Sequence, residues 1–211
     1  MSTYSHPTER MLTHQNIFCY CAHTNQLVRI QNLLTIYEHT LLDHVNAVSG
    51  RGLVRNYANI VPEWTLETLY DYTMMGVPEQ DANTERWDFE RFHPQVVVVF
   101  VGINDFQGEP PYADVGKFKQ AYVKLLDRLR ALHPGVKFLL VATKTWPNDD
   151  LGGVVEGIYN DQVAAGKTDI LYKFVYTENT ALHGHPSENS QKELANTLRP
   201  LVARLGGWLS R

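Results

Sequence analysis

Positions 96–102 of this chain read Val-Val-Val-Val-Phe-Val-Gly, seven in a row without a polar side chain. A short unbroken apolar run predicts a strand buried on both faces, as in a parallel sheet with helices on either side. Pro94 marks its start and Gly102 its end. Residues 136–142 predict the next buried strand, and residues 170–175 another strand. Between and after these runs the rhythm turns helical. Phe118, Tyr122, Leu125, Leu126, Leu129 and Leu132 form an amphipathic stripe, with Asp114 as candidate N-cap and Pro134-Gly135 as the stop. Residues 154–165 predict another helix. Ser187 can cap a last helix carrying Leu194, Leu198, Leu201, Val202 and Leu205, which Pro200 is expected to kink or divide. Strands alternating with helices place the chain in the α/β class, with a parallel sheet and right-handed crossovers.

The amino-terminal part is harder to read. Residues 1–15 form a polar lead-in, and residues 17–22 predict a strand. Apolar residues at Leu27, Ile30, Leu33, Leu34, Tyr37, Leu41, Leu42 and Val45 predict a helix over 27–45. Ala47 and Val48 would then be a short strand ending in the glycine-rich turn Ser49-Gly50-Arg51-Gly52. Residues 63–72 predict a helix and 76–91 a polar excursion before the central strand. With 211 residues, 44% of them hydrophobic, the chain is expected to build one domain over 16–211. A net charge of -4, with Lys and Arg scattered, argues against nucleic acid or a membrane surface as partner. No apolar run approaches the roughly 20 residues that span a bilayer. As the sequence stands, the first ten residues lack a signal-peptide core. The expectation is therefore a cytoplasmic protein, or a secreted one if the natural N-terminus is longer. Cys19 and Cys21 are too close for an ordinary disulfide, and without a second pair they read as two small apolar side chains on a strand. No metal or cofactor is expected.

Three loops are expected at the carboxyl edge of this sheet, where open α/β folds place their ligands. They are Ser49-Gly50-Arg51-Gly52, Gly102-Ile103-Asn104-Asp105 and His183-Gly184-His185-Pro186-Ser187. A glycine turn can aim a backbone N–H into a cleft because no Cβ blocks the approach. An asparagine amide adds a second donor, and two such donors can stabilise the oxyanion of acyl transfer. A histidine ahead of a helix, followed by Pro186, suits a general base. Asn-Asp after a strand also reads as turn chemistry, and His183 with His185 reads as a metal pair only if a third ligand joins them.

The ordered blocks carry a resemblance. Residues 49–57, Ser-Gly-Arg-Gly-Leu-Val-Arg-Asn-Tyr, precede Trp87-Asp88-Phe89 and Phe92-His93-Pro94. Gly102-Ile103-Asn104-Asp105-Phe106 and Gly184-His185-Pro186-Ser187 follow. From about residue 46 onward this resembles the SGNH, or GDSL-type, hydrolases, and most nearly the carbohydrate esterase family 2 acetyl esterases. The resemblance implies a three-layer α/β/α sandwich with a flavodoxin-like sheet. It also implies an esterase acting on a small ester or an acetylated carbohydrate. It assigns the Gly50 N–H and Asn104 to the oxyanion hole and His185 to the general base. Tyr57 and Trp146 become candidates for a sugar-stacking wall. The Asp that usually stands three residues before the histidine is replaced by Leu182; some members of that branch use backbone carbonyls instead.

Residues 16–45 depart from the family. Its nucleophile is the serine of a Gly-Asp-Ser block at the end of the first strand, and no Gly-Asp-Ser occurs here. The first block is lost or replaced, the coding region is rearranged, or another group attacks. Cys21, at the end of the first strand, and Ser49, beside the oxyanion glycine, are the candidates for a substitute nucleophile. Three readings therefore stand: an ester hydrolase, an inactive SGNH-fold module that binds carbohydrate or ester, and an unrelated flavodoxin-like binder.

Overall fold

A computed structural model describes residues 15–21, 35–36, 39–72, 85–176 and 185–208, with side chains from residue 45 onward. Six strands form one sheet: β1 (Gln15–Cys21), β2 (Thr35–Ile36), β3 (His39–Asn46), β4 (Val96–Phe100), β5 (Lys137–Thr143) and β6 (Ile170–Val175). Their spatial order is β2-β3-β1-β4-β5-β6. β3, β1, β4, β5 and β6 run parallel, and only β2 is antiparallel to its neighbour. The chain moves from β1 to one side for β3 and to the other for β4, so the strand order reverses at β1. The crevice outside the carboxyl ends of β1 and β4 is where such sheets bind ligands.

β4 is buried along its whole length, as its apolar run predicts, and β5 is buried at every position after Lys137. Helix α3 (Val115–Leu132) turns Phe118, Tyr122, Leu125, Leu126 and Leu129 inward, and the Asp114 side chain caps it by accepting from the Lys117 N–H. Helix α4 (Leu151–Ala164) packs on α3, β5 and β6. Helix α5 (Glu188–Gly206) lies across β4, β5 and β6. The crossovers β4-α3-β5 and β5-α4-β6 run in one direction, so right-handedness puts α3 and α4 on one face. Helix α5, returning across β6, β5 and β4, takes the other. The sheet is therefore sandwiched between two helical layers. Lys137 Nζ, at the amino end of β5, donates to the Leu205 carbonyl at 2.7 Å. That bond puts the end of α5 at the amino edge and its start at the carboxyl edge.

Five expectations are corrected. Residues 39–46 form strand β3, not the end of a helix, and β3 stops at Asn46, so Ala47 and Val48 are not a strand. The apolar spacing of 41, 42 and 45 satisfies either period, and pairing with β1 decides it. The helix expected over 63–72 is the single turn α1 (Leu66–Leu69). Asn104 and Asp105 lie not on an open loop but in another single turn, α2 (Ile103–Phe106), buried at all four positions. Pro200 does not divide α5. It sits on the exposed side, where the carbonyl left without an N–H partner can turn to water. The lead-in over 1–14 and the stretch 22–34 lie outside the described residues.

Gly102 joins β4 to α2 with φ +107°, and a Cβ there would collide with Leu151 Cδ1 and lie 2.8 Å from Phe118 Cζ. Gly102→Ala is expected to destabilise the fold by about 2 kcal/mol through left-handed strain and overpacking. A thermal midpoint within a degree of wild type would contradict this.

Candidate functional site

A buried carboxylate stands just beyond the carboxyl end of β4. Asp105 has no exposed surface. Its Oδ2 accepts from the Leu53 N–H at 2.8 Å, and its Oδ1 accepts from the N–H groups of Val54 at 2.8 Å and Arg55 at 3.0 Å. Three successive backbone donors thus converge on one side chain from a segment some fifty residues earlier. Arg55 returns the contact. Its Nη1 donates to the carbonyls of Asn104 at 2.9 Å and Gln107 at 3.2 Å, and its Nη2 to Glu109 at 2.5 Å. Each segment therefore satisfies the other's polar groups.

The glycine-rich turn is shaped to allow this. A Cβ on Gly52 would collide with the Arg55 carbonyl and sit 2.5 Å from Asp105 Oδ2. The Gly52 N–H donates to Asn56 Oδ1 at 3.2 Å, while Asn56 Nδ2 donates to the carbonyls of Ile60, Val61 and Trp64. Gly50, with φ +72°, accepts from the Tyr57 N–H at 2.8 Å, closing the loop on itself. Asn104 Nδ2 donates to the Arg51 carbonyl at 2.8 Å. That bond sets the Asn104 amide beside the residue following Gly50. An amide nitrogen carries two hydrogens and can therefore donate to more than one oxygen.

His185 stands half-buried immediately before α5, at the same edge of the sheet. Gln191 Nε2 donates to the Pro186 carbonyl at 3.2 Å, and the Ser187 hydroxyl accepts from the Ser190 N–H at 3.3 Å. The residue after the histidine is thereby tied to the helix that follows. Leu182 and His183 lie outside the described residues. Cys21 ends β1 with its backbone in register with Phe100, and Cys19 pairs with Val98 in the same way. The candidate thiol thus belongs to the strand bordering the crevice, though its side chain is not among those described. Ser49 is exposed in the turn before Gly50.

Tyr57 and Trp146 are 42% and 76% exposed, and Gly108 links them. The Tyr57 ring covers Gly108, where a Cβ would lie 2.7 Å from Tyr57 Cε2. The Gly108 N–H donates to the Trp146 carbonyl at 3.1 Å. The Tyr57 ring and the Trp146 backbone therefore flank the segment that follows Asn104. Among the described residues no three His, Cys, Asp or Glu side chains group as metal ligands, and no helix is long and apolar enough to cross a membrane.

Sequence reasoning missed Asp105, Arg55 and Asn56, taking Asn104-Asp105 on its own as turn chemistry. The available signal was a carboxylate directly after a wholly apolar strand, a place where an ionised group needs several donors.

Burial pushes the Asp105 carboxyl up to about 6, against the three N–H bonds and the Arg55 charge, which pull it down. The folded state therefore binds this proton more readily than the unfolded chain does, so stability from Asp105 falls as pH rises from about 4 through about 6. Asp105→Asn removes the titration. Relative to that variant, wild type is expected to lose about 2 kcal/mol of unfolding free energy between pH 4 and pH 7. Parallel pH profiles of the two proteins in urea unfolding would contradict it.

The family model for GDSL-like Lipase/Acylhydrolase matches residues 42–203. An acetylxylan esterase / glucomannan deacetylase of Cellvibrio japonicus is 30% identical over 167 residues, 73% of this chain and 43% of that protein. The cellulase/esterase CelE of Acetivibrio thermocellus is 30% identical over 171 residues, 77% of this chain and 20% of that protein. The chain thus spans less than half the length of these relatives. A family two carbohydrate esterase from Clostridium thermocellum, solved with cellohexaose, superposes with a TM-score of 0.75 at 24% identity. That superposition covers 94% of this chain and 66% of the other. The chain belongs to the GDSL-like lipase/acylhydrolase family, with a carbohydrate-esterase type of fold.

Proposed function

We propose that this acylhydrolase-family chain cleaves a small acyl ester, in particular an acetyl group carried on a carbohydrate. The observation that carries the reading is the bond from Asn104 Nδ2 to the Arg51 carbonyl. It sets a side-chain N–H donor beside the Gly50 backbone at the carboxyl edge of the sheet. In the reaction, a nucleophile attacks the ester carbonyl and His185 takes its proton. The carbonyl oxygen, now an alkoxide, receives hydrogen bonds from the Gly50 N–H and Asn104 Nδ2. The intermediate collapses, and the bond from the acyl carbon to the sugar oxygen breaks as His185 protonates that oxygen. The acetyl group stays on the nucleophile until water, deprotonated by His185, attacks and releases acetate. Cys21, on the strand bordering the crevice, and Ser49, in the adjoining turn, are the groups proposed to attack. Tyr57 and Trp146 would offer flat apolar faces to a sugar ring.

A second reading, a cleft that binds acetylated carbohydrate without cleaving it, is favoured by the missing Gly-Asp-Ser block. Turnover of 4-nitrophenyl acetate separates the two. Activity that falls at least a hundredfold in both Asn104→Ala and His185→Ala, with circular dichroism unchanged, is the expected result, since one oxyanion donor is worth about 10²–10³ in kcat. No turnover by folded wild type, together with saturable binding of acetylated xylo-oligosaccharide, would establish the second reading.

The aromatic wall is tested separately. Trp146→Ala is expected to raise KM for an acetylated oligosaccharide about fivefold, the loss of roughly 1 kcal/mol of ring contact, while leaving 4-nitrophenyl acetate kinetics unchanged. Equal effects on both substrates would remove Trp146 from sugar recognition.

A further inference from the structure

Asp105 holds its charge against a burial cost that its three N–H bonds and Arg55 only partly offset. Burial lifts its carboxyl to about 6, so at neutral pH the folded protein carries an ionised group that it would bind more stably with a proton. A polar group kept against stability at a crevice points to function, because local rules are broken mainly at functional sites. Its bonds show what it acts on. The three N–H groups it binds belong to residues 53–55, directly after the turn containing Gly50. Asn104 precedes it in the same one-turn helix. Arg55 grips the opposite segment through three carbonyls, that of Asn104 among them.

We propose that Asp105 and Arg55 are positioning residues for the oxyanion hole. Together they form a two-way staple that fixes the Gly50 N–H relative to Asn104 Nδ2 before substrate arrives. The inference rests on the ester-hydrolase reading above and extends it to two residues that touch no reacting atom. Donors preset at the spacing of the developing charge need no reorganisation during the reaction, so loosening the staple costs turnover rather than substrate binding. Among the described residues, Arg55 is the charged group acting on Asp105, beside the backbone donors of 53–55.

The test compares Asp105→Asn and Arg55→Lys with wild type at pH 8. Asn keeps the shape but turns an NH2 toward one of the three N–H donors. Lys keeps the charge but cannot span three carbonyls. The expected result is a fall in kcat of about tenfold or more with KM within about twofold. A purely structural role predicts a lower thermal midpoint with unchanged kcat per folded molecule, and that result overturns the proposal. A second measurement needs no turnover. In wild type, the Gly50 backbone amide resonance should shift with an apparent midpoint near pH 6, and the same shift should persist in His185→Ala. Amide resonances of Leu53, Val54 and Arg55 that titrate while Gly50 stays fixed, or a Gly50 titration lost in His185→Ala, overturn the staple. If Asn104→Ala and His185→Ala retain full activity, the hydrolase reading itself has failed. The Gly50 titration still decides whether Asp105 governs the geometry of this loop.

Discussion

Asp105 is the point through which the two halves of the crevice are joined. A carboxylate with no exposed surface has to be hydrogen-bonded on both oxygens or be neutralised. Here it takes three consecutive backbone donors from the segment after Gly50. Backbone N–H groups that would otherwise be orphaned in a tight turn are satisfied by the same contact. Neither segment is regular structure of any length, so neither could hold this conformation alone. What makes them rigid is that each supplies the polar partners the other lacks.

The rest of the architecture delivers the two segments to that meeting point. β4 is buried on both faces and runs between β1 and β5, so its end is fixed by the core. Gly102 allows the chain to turn sharply enough to start α2 against Leu151 and Phe118. α2 then carries Asn104 and Asp105 with adjacent roles: one amide aimed at the Arg51 carbonyl, one carboxylate aimed at residues 53–55. α5, entering from the same edge, brings His185. A turn and a helix assembled this way are stiff before any ligand enters, the rigidity that electrostatic stabilisation of a transition state requires.

Where burial on both faces left an unbroken apolar run, as in β4 and β5, the sequence was legible. So was the stripe of α3 with its Asp114 cap. β3 was not, because Leu41, Leu42 and Val45 fit a helical period as well as a strand and only pairing with β1 separates the two. The order of Gly50, Asn104 and His185 along the chain was visible, and so was the aromatic pair Tyr57 and Trp146. The role of Asp105 was not. Its partners are backbone N–H groups, which every residue but proline carries, so they leave no mark on the side-chain pattern. Arg55 was hidden for the same reason, since it binds carbonyls. A crevice held together by side chain to backbone bonds is the kind of feature that periodicity and motif spacing pass over.

The most direct test of this account is native-state amide hydrogen exchange, read residue by residue. If the carboxylate of Asp105 locks the turn, the amides of Leu53, Val54 and Arg55 should exchange as slowly as those of β4, opening only with the core. Exchange of these three amides at the rate of an exposed loop, with β4 still protected, would contradict it.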